Sequence, residues 1–277
     1  MLSRKNFEYA VANPVVLHGS EALGLSRRQF GLSAAALVLS GGPATARAKS
    51  TTIAASGGGE FPRDLLKRSV RLSGGGRARV LVAPYAWKDP KEAYNFAKGL
   101  FRGLGARNVS LLPLDRSAVS MVEEADAIWF SGGFQKRQVL ALGRVGGLTR
   151  ALQAAHKRGT VMIGGSAGAA VMSRLMISGG SNGTAYTRAG LGFLNRVVLD
   201  QHVIARSREW RLRQVISNNR GHLGVGIDER TGILVEGSRF KVYGRSKVIV
   251  SQWADGKLTE LVLRRGDRFD FASRQRA

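Results

Sequence analysis

Apolar and polar positions along the chain fall into two rhythms. Short, nearly unbroken apolar runs recur at residues 51–55, 80–83, 109–112, 127–130 and 160–163. Between them the spacing changes to that of a helix. Over residues 91–104, Ala93, Phe96, Ala97, Leu100 and Leu104 share one face, and residues 148–157 also read as helical. Continuous rather than alternating apolar runs predict strands covered on both faces. Their alternation with helices predicts an α/β fold, an open and mostly parallel sheet flanked by helices. After Gly224 the texture changes to short runs at 224–227, 232–236, 240–243, 248–251 and 258–263, separated by turns. These predict a C-terminal antiparallel extension of the same domain. No internal repeat or linker interrupts residues 50–277, so one α/β domain is expected over that range.

The first 48 residues follow a different pattern. Ser26-Arg27-Arg28-Gln29-Phe30 precedes a short apolar run at 31–39, then Pro43 and Ala46-Arg47-Ala48. A basic pair, a short apolar stretch and a small-x-small site in that order predict a twin-arginine-type export signal over residues 1–48. The run is far shorter than the roughly 20 residues a spanning helix needs, so no stable membrane insertion is expected. The expected location is periplasmic or extracellular.

Composition narrows the chemistry. The chain has no cysteine, which removes disulfides, thiolate metal sites and a cysteine nucleophile together. Any imidazole must come from His18, His156, His202 or His222. No convincing ligand cluster points to a metal, and no cofactor is expected. The net charge is +24, and residues 49–277 alone keep +21 because the first 48 carry five Lys/Arg and two Asp/Glu. Basicity therefore belongs to the folded part. A basic nucleic-acid binder shows interleaved aromatic and basic residues or a long basic run; neither is present, and nucleic acid is not an expected partner.

Three glycine-rich segments end predicted strands: Gly57-Gly58-Gly59-Glu60, Ser131-Gly132-Gly133-Phe134-Gln135 and Gly164-Gly165-Ser166-Ala167-Gly168. Glycines there let backbone N–H groups approach a ligand. The last segment fits the nucleophile-elbow pattern, with a strand before it and a helix-forming run after it. Ser166 is the candidate nucleophile. The Ala167 N–H supplies one oxyanion donor, and Gly132 or Gly133 the second. Gly165 and Ala167 are expected to clear space around the elbow, and Gly168 to let helix and strand pack.

A serine nucleophile needs a base and an orienting acid. Two assignments fit. In Ser166, His202 and Glu229, all three residues end strands, where α/β sites lie. The other is Ser166, Asp200 and His222, the chain order of α/β-hydrolases; His222 sits in a polar turn, which favours the first. Downstream of His202, Arg206, Arg208 and Arg211 open a predicted helix running to residue 216. Arg208 and Arg211 are three apart on one side of it, suited to clamping carboxylates.

With these blocks assembled, the chain resembles the cyanophycinase and aspartyl-dipeptidase family of serine peptidases. The blocks run in order from Gly57 to Glu229 and span nearly all of residues 50–236. The resemblance implies the fold of class I glutamine amidotransferase-like domains, with Ser166 as nucleophile, His202 as base and Glu229 as its acid. It implies Gln135, Gln201, Arg206, Arg208 and Arg211 as substrate contacts. The implied substrate is cyanophycin, a poly-aspartate whose β-carboxyls carry arginine through isopeptide bonds, and the implied products are β-aspartyl-arginine dipeptides. An aspartyl dipeptidase or another serine hydrolase of this fold is the nearest alternative, and a non-catalytic binding protein is the alternative of a different class. The expected partners are a peptide or polymer substrate and a second copy of the chain in a homodimer. Phe134 departs from the family, which usually has a polar residue there.

Overall fold

The computed structural model describes residues 50–277; the expected export signal lies outside the described residues. In chain order the elements are β1 (Thr52–Ser56), α1 (Arg63–Leu72), β2 (Arg79–Ala83), α2 (Pro90–Arg102), β3 (Asn108–Leu111), α3 (Ser117–Glu124), β4 (Ala127–Phe130), α4 (Gln135–Gly143), α5 (Leu148–Arg158), β5 (Val161–Gly165) and α6 (Ala167–Ala170). Then come β6 (Leu175–Ser181), β7 (Thr184–Ala189), β8 (Val197–Gln201), α7 (Glu209–Asn218), β9 (Leu223–Ile227), β10 (Thr231–Glu236), β11 (Arg239–Gly244), β12 (Val248–Ala254), β13 (Lys257–Leu263), β14 (Arg268–Asp270) and β15 (Gln275–Arg276).

The expected α/β class holds. Nine strands form one sheet in the order β15-β14-β11-β10-β1-β5-β4-β2-β3. The stretch from β1 to β3 is parallel throughout, and β10 and β11 continue it antiparallel. The apolar runs are continuous because both faces are covered. Along β1, Ile53 and Ala55 enter one core while Ala54 enters the other. In β4, Ile128 and Phe130 go one way, Ala127 and Trp129 the other.

Two details differ from the pattern. Of the face predicted around α2, Ala97 is buried and Leu100 and Leu104 pack half-buried against the core, but Phe96 is 68% exposed and the unassigned Phe101 is buried in its place. Phe101 meets Trp129 edge-on, with centroids 5.4 Å apart, an aromatic contact that anchors this face of the helix. The C-terminal strands also divide between two sheets. β10 and β11 extend the large one, whereas β9, β12 and β13 join β8 in a four-stranded sheet in which β8 and β9 are parallel. The hairpin β6–β7 has no apolar run long enough to announce it and is mostly exposed.

Candidate active site

The site starts at the end of β5. There Ser166 holds φ 53° and ψ −117°, a strained conformation for a residue with a side chain, between the strand and α6. Two packing constraints force the turn. A Cβ at Gly168 would lie 2.0 Å from the Phe130 carbonyl oxygen, and one at Gly164 would lie 2.4 Å from that of Gly168. Gly164, rather than the expected Gly165, is therefore the position that must lack a side chain, since a Cβ at Gly165 would meet nothing closer than the Phe61 ring at 3.5 Å.

The Ser166 hydroxyl lies 2.8 Å from Nε2 of His202, and His202 Nδ1 lies 2.5 Å from Oε1 of Glu229. His202 follows β8 at φ 53°, and Glu229 follows β9 and Asp228. Ser166, His202 and Glu229 thus meet at the carboxyl ends of β5, β8 and β9. Asp200 and His222 do not join Ser166. Asp200 is fully buried and bound by Arg211, and His222 precedes β9, at the opposite end of that strand.

The Gly57–Gly59 loop holds the three residues in place. Its glycines were expected to bring backbone to a ligand; they bring it to the imidazole instead. A Cβ at Gly58 would fall 2.2 Å from Cε1 of His202, and one at Gly57 2.2 Å from the Asp228 carbonyl oxygen. Backbone bonds tie the segment to each partner. Ser166 N donates to Ser56 O (2.9 Å), His202 N to Gly57 O (2.9 Å) and Arg230 N to Gly58 O (2.9 Å).

Gly132 also borders the serine: a Cβ there would lie 3.7 Å from the Ser166 Cβ. Among the described residues the N–H groups of Gly132, Gly133 and Ala167 donate to no backbone acceptor. Gly133 holds φ 126°, and a Cβ on it would collide with the Ala86 carbonyl at 2.2 Å. Phe134 turns its ring to solvent, 68% exposed, with the Arg137 guanidinium 5.7 Å from the ring centroid.

The basic residues separate by role. Arg206 is exposed and its Nε lies 3.9 Å from Glu229 Oε1. Arg208 donates to Oε1 of the buried Gln201 at 2.9 Å. Arg211 differs from these two. Its guanidinium grips Asp200 through two bonds of 2.7 and 2.5 Å, and both residues are buried. With Nε and Nη2 engaged on Asp200, it ties α7 to β8. Gln135 is also partly committed, its side-chain nitrogen donating to the Ile177 carbonyl at 2.9 Å.

Burial pushes the His202 imidazole below its ordinary value. The hydrogen bond to Glu229 opposes this, the Arg206 charge reinforces it, the Glu229 charge opposes it again and Arg208 adds a further downward push; the net direction is down. A neutral imidazole at neutral pH is the form that accepts a proton. Asp228 was not assigned a role from sequence. Burial would raise its carboxyl, but hydrogen bonds from the Ser246 hydroxyl and the Ala205, Glu229 and Ile204 N–H groups hold it low. It thereby fixes the turn after His202, through Ala205 N at 2.9 Å and Ser246 Oγ at 2.6 Å. Nothing in the sequence announces Ser246 as its partner. Among the described residues, no group of His, Asp and Glu is arranged to hold a metal, and no helix is long and apolar enough to cross a membrane.

A strained serine at a strand–helix elbow, within reach of a histidine that is itself backed by a carboxylate, is the arrangement of a serine-type peptidase. The chain belongs to peptidase family S51, whose sequence model matches residues 52–243. It is 33% identical over 203 residues to the cyanophycinase of Geminocystis herdmanii, covering 68% of this chain and 74% of that protein. It is 33% identical to the cyanophycinase of Synechococcus elongatus over 202 residues, which is 63% of that protein's length and 68% of this chain. Among solved structures, a peptidase from an acI-B1 Actinobacterium superposes with a TM-score of 0.61 at 21% identity, covering 81% of this chain and 98% of that one. A putative peptidase E from Listeria monocytogenes gives 0.53 at 18% identity, covering 71% and 100%. The last two show likeness of fold. The chain is a serine-type peptidase of family S51, similar to the cyanophycinases.

Proposed function

We propose that the chain is an exported peptidase that hydrolyses cyanophycin through an acyl-enzyme on Ser166. The observation that carries the reading is the continuous Ser166–His202–Glu229 chain of hydrogen bonds, bordered by the cationic groups of Arg206 and Arg208. Ser166 Oγ attacks the scissile carbonyl while His202 Nε2 takes its proton. Glu229 holds the imidazole with Nδ1 protonated and stabilises the imidazolium. The N–H groups of Ala167 and of Gly132 or Gly133 receive the developing oxyanion. His202 then gives its proton to the leaving amine. Water, deprotonated by the same imidazole, hydrolyses the ester and frees the acid product and Ser166.

Each unit of the polymer carries a free arginine α-carboxylate. Arg206 and Arg208 are placed to receive such groups, with Gln201 fixing Arg208. Gln135 keeps its side-chain oxygen for a donor on the substrate. Arg211 is left out of this set. The homologous cyanophycinases support the substrate class. The deciding experiment offers purified cyanophycin and short Asp-X peptides side by side, with Ser166→Ala as control. Release of β-aspartyl-arginine by the native chain alone is expected; cleavage of only the short peptides would make it an aspartyl dipeptidase instead.

A further inference from the structure

A second cleft, with a volume of about 640 Å³, opens on the other side of the β8–β9 pair. Its lining includes Arg174, Arg188, Arg196, Thr187, Asn195 and His222, and no Asp or Glu. The strand register fixes its place. β8 and β9 run parallel with Val197 opposite Leu223, so Arg196 and His222 precede the strands whose far ends carry His202 and Glu229. Five residues of strand separate the two ends by about 13 Å of rise.

The three arginines are set on rigid backbone. Arg174 N donates to Leu194 O at 2.8 Å, and Gly190 N donates to Arg174 O at 3.0 Å. Leu223 N donates to Arg196 O at 2.9 Å, and Arg188 sits in register with Met176 in the hairpin. Yet none of the three enters a salt bridge among the described residues. Three like charges gathered in a cleft without a counter-charge focus a positive potential that an anion relieves. The lining offers planar forked donors, which match carboxylates two bonds at a time. It contains no Phe, Tyr or Trp, and single-stranded nucleic acid is held largely by stacking on such rings.

We propose that this cleft is a second carboxylate-binding site, which grips the arginine α-carboxylates of a distal stretch of the polymer while another part of it lies at Ser166. The proposal rests on the polymer-substrate reading above. A short oligomer reaches only one of the two ends of the β8–β9 pair, so the gain from a second contact belongs to long chains.

The test uses two probes, long poly-L-aspartate and tri-aspartate, titrated against the Ser166→Ala chain at fixed ionic strength. The triple variant Arg174→Gln, Arg188→Gln, Arg196→Gln is expected to weaken the long probe by about tenfold or more, with little change for tri-aspartate. A charge-matched triple, Lys67→Gln, Arg102→Gln, Arg107→Gln, is expected to weaken it far less. Equal losses in the two triples would overturn the site in favour of overall charge. Tighter binding of duplex DNA than of poly-L-aspartate, lost in the same triple, would make nucleic acid the ligand and overturn the polycarboxylate assignment. With Ser166 intact, the arginine triple is expected to keep its melting midpoint and its labelling by a serine-directed phosphonate, and to raise KM for cyanophycin while kcat holds. Poly-L-aspartate binding that depends on the arginines, without cyanophycin cleavage, would sink the substrate reading and leave the site standing. Cleavage with unchanged KM and unchanged binding would do the reverse.

Discussion

The backbone of Gly58 lies flush against the imidazole of His202, so closely that a single added carbon would overlap the ring. A segment far from His202 in sequence thereby fixes the plane of the base that serves Ser166. Gly58→Ala adds that carbon and also forces a side chain into φ 105°. Strain of this kind costs about 1–3 kcal/mol. We expect a folded, less stable protein whose kcat falls by about 100-fold, because a displacement of about 1 Å has that effect. Circular dichroism and phosphonate labelling of Ser166 check the two halves separately. Wild-type labelling rates in Gly58→Ala would refute the positioning role.

Ser166→Ala and His202→Ala should each abolish peptide hydrolysis, and the double variant should be no worse than either alone, since such residues act as a unit. Glu229→Gln should retain more activity than His202→Ala while still losing about 10³–10⁴-fold in kcat, as loss of the correct imidazole tautomer does elsewhere. Steady-state kinetics on one substrate decides all of these.

Arg206 pushes the His202 imidazole down through its charge. Arg206→Gln removes a positive neighbour, so the protonated imidazole becomes easier to form and its titration moves up. The acid limb of kcat/KM should shift to higher pH, with the plateau above it reduced only by lost substrate contact. An acid limb that stays in place, or moves down, would disprove the coupling.

Arg211 separates a structural role from a substrate role. Removing one partner of a buried ion pair costs about 3–5 kcal/mol, so Arg211→Ala should destabilise the fold by about that much in urea titration. The double change Arg211→Met, Asp200→Leu should recover much of the loss. KM measured on the folded fraction should stay near the native value.

His156 is buried against Phe193 with centroids 5.3 Å apart, and its Nδ1 has no partner. Burial pushes its titration down to about 4 from 6.5. The unfolded chain then takes up a proton that the folded one refuses, so the stability from this group is complete above pH 6.5 and is lost as pH falls towards 4. The loss amounts to roughly 3 kcal/mol over the full range and ~2 kcal/mol by pH 5. His156→Leu should flatten the stability difference between pH 7 and pH 5 by about the latter amount.

Much of the fold was legible because buried parallel strands leave unbroken apolar runs, as in Ala127–Phe130. The burial of Phe101 in place of Phe96 on α2 was not, because the contact of Phe101 with Trp129 depends on tertiary packing rather than on helical period. The elbow was readable from Gly164 to Gly168, since strain at Ser166 demands small neighbours in fixed places. Its assignment of clearance to Gly165 failed because which glycine faces a carbonyl depends on how strand and helix dock. The pairing of Arg211 with Asp200 was not legible: helical spacing groups Arg208 with Arg211, but Arg208 precedes α7 and only Arg211 lies on its buried face. Gly58 carried a legible signal, a glycine run after a strand, with no hint that a histidine rather than a ligand was the body being approached.

The strand before that glycine run also waits across the longest stretch of chain for its last neighbour. β1 lies between β5 and β10, and the Ser56 hydroxyl reaches the Thr231 carbonyl across 175 residues of sequence. The chain must therefore be out to Thr231 before β1, which leads into Gly58, is paired on both sides. Contacts that distant form slowly. Such an architecture completes the site late in synthesis, because any fragment ending before Arg230 lacks a residue that the Gly57–Gly59 loop binds.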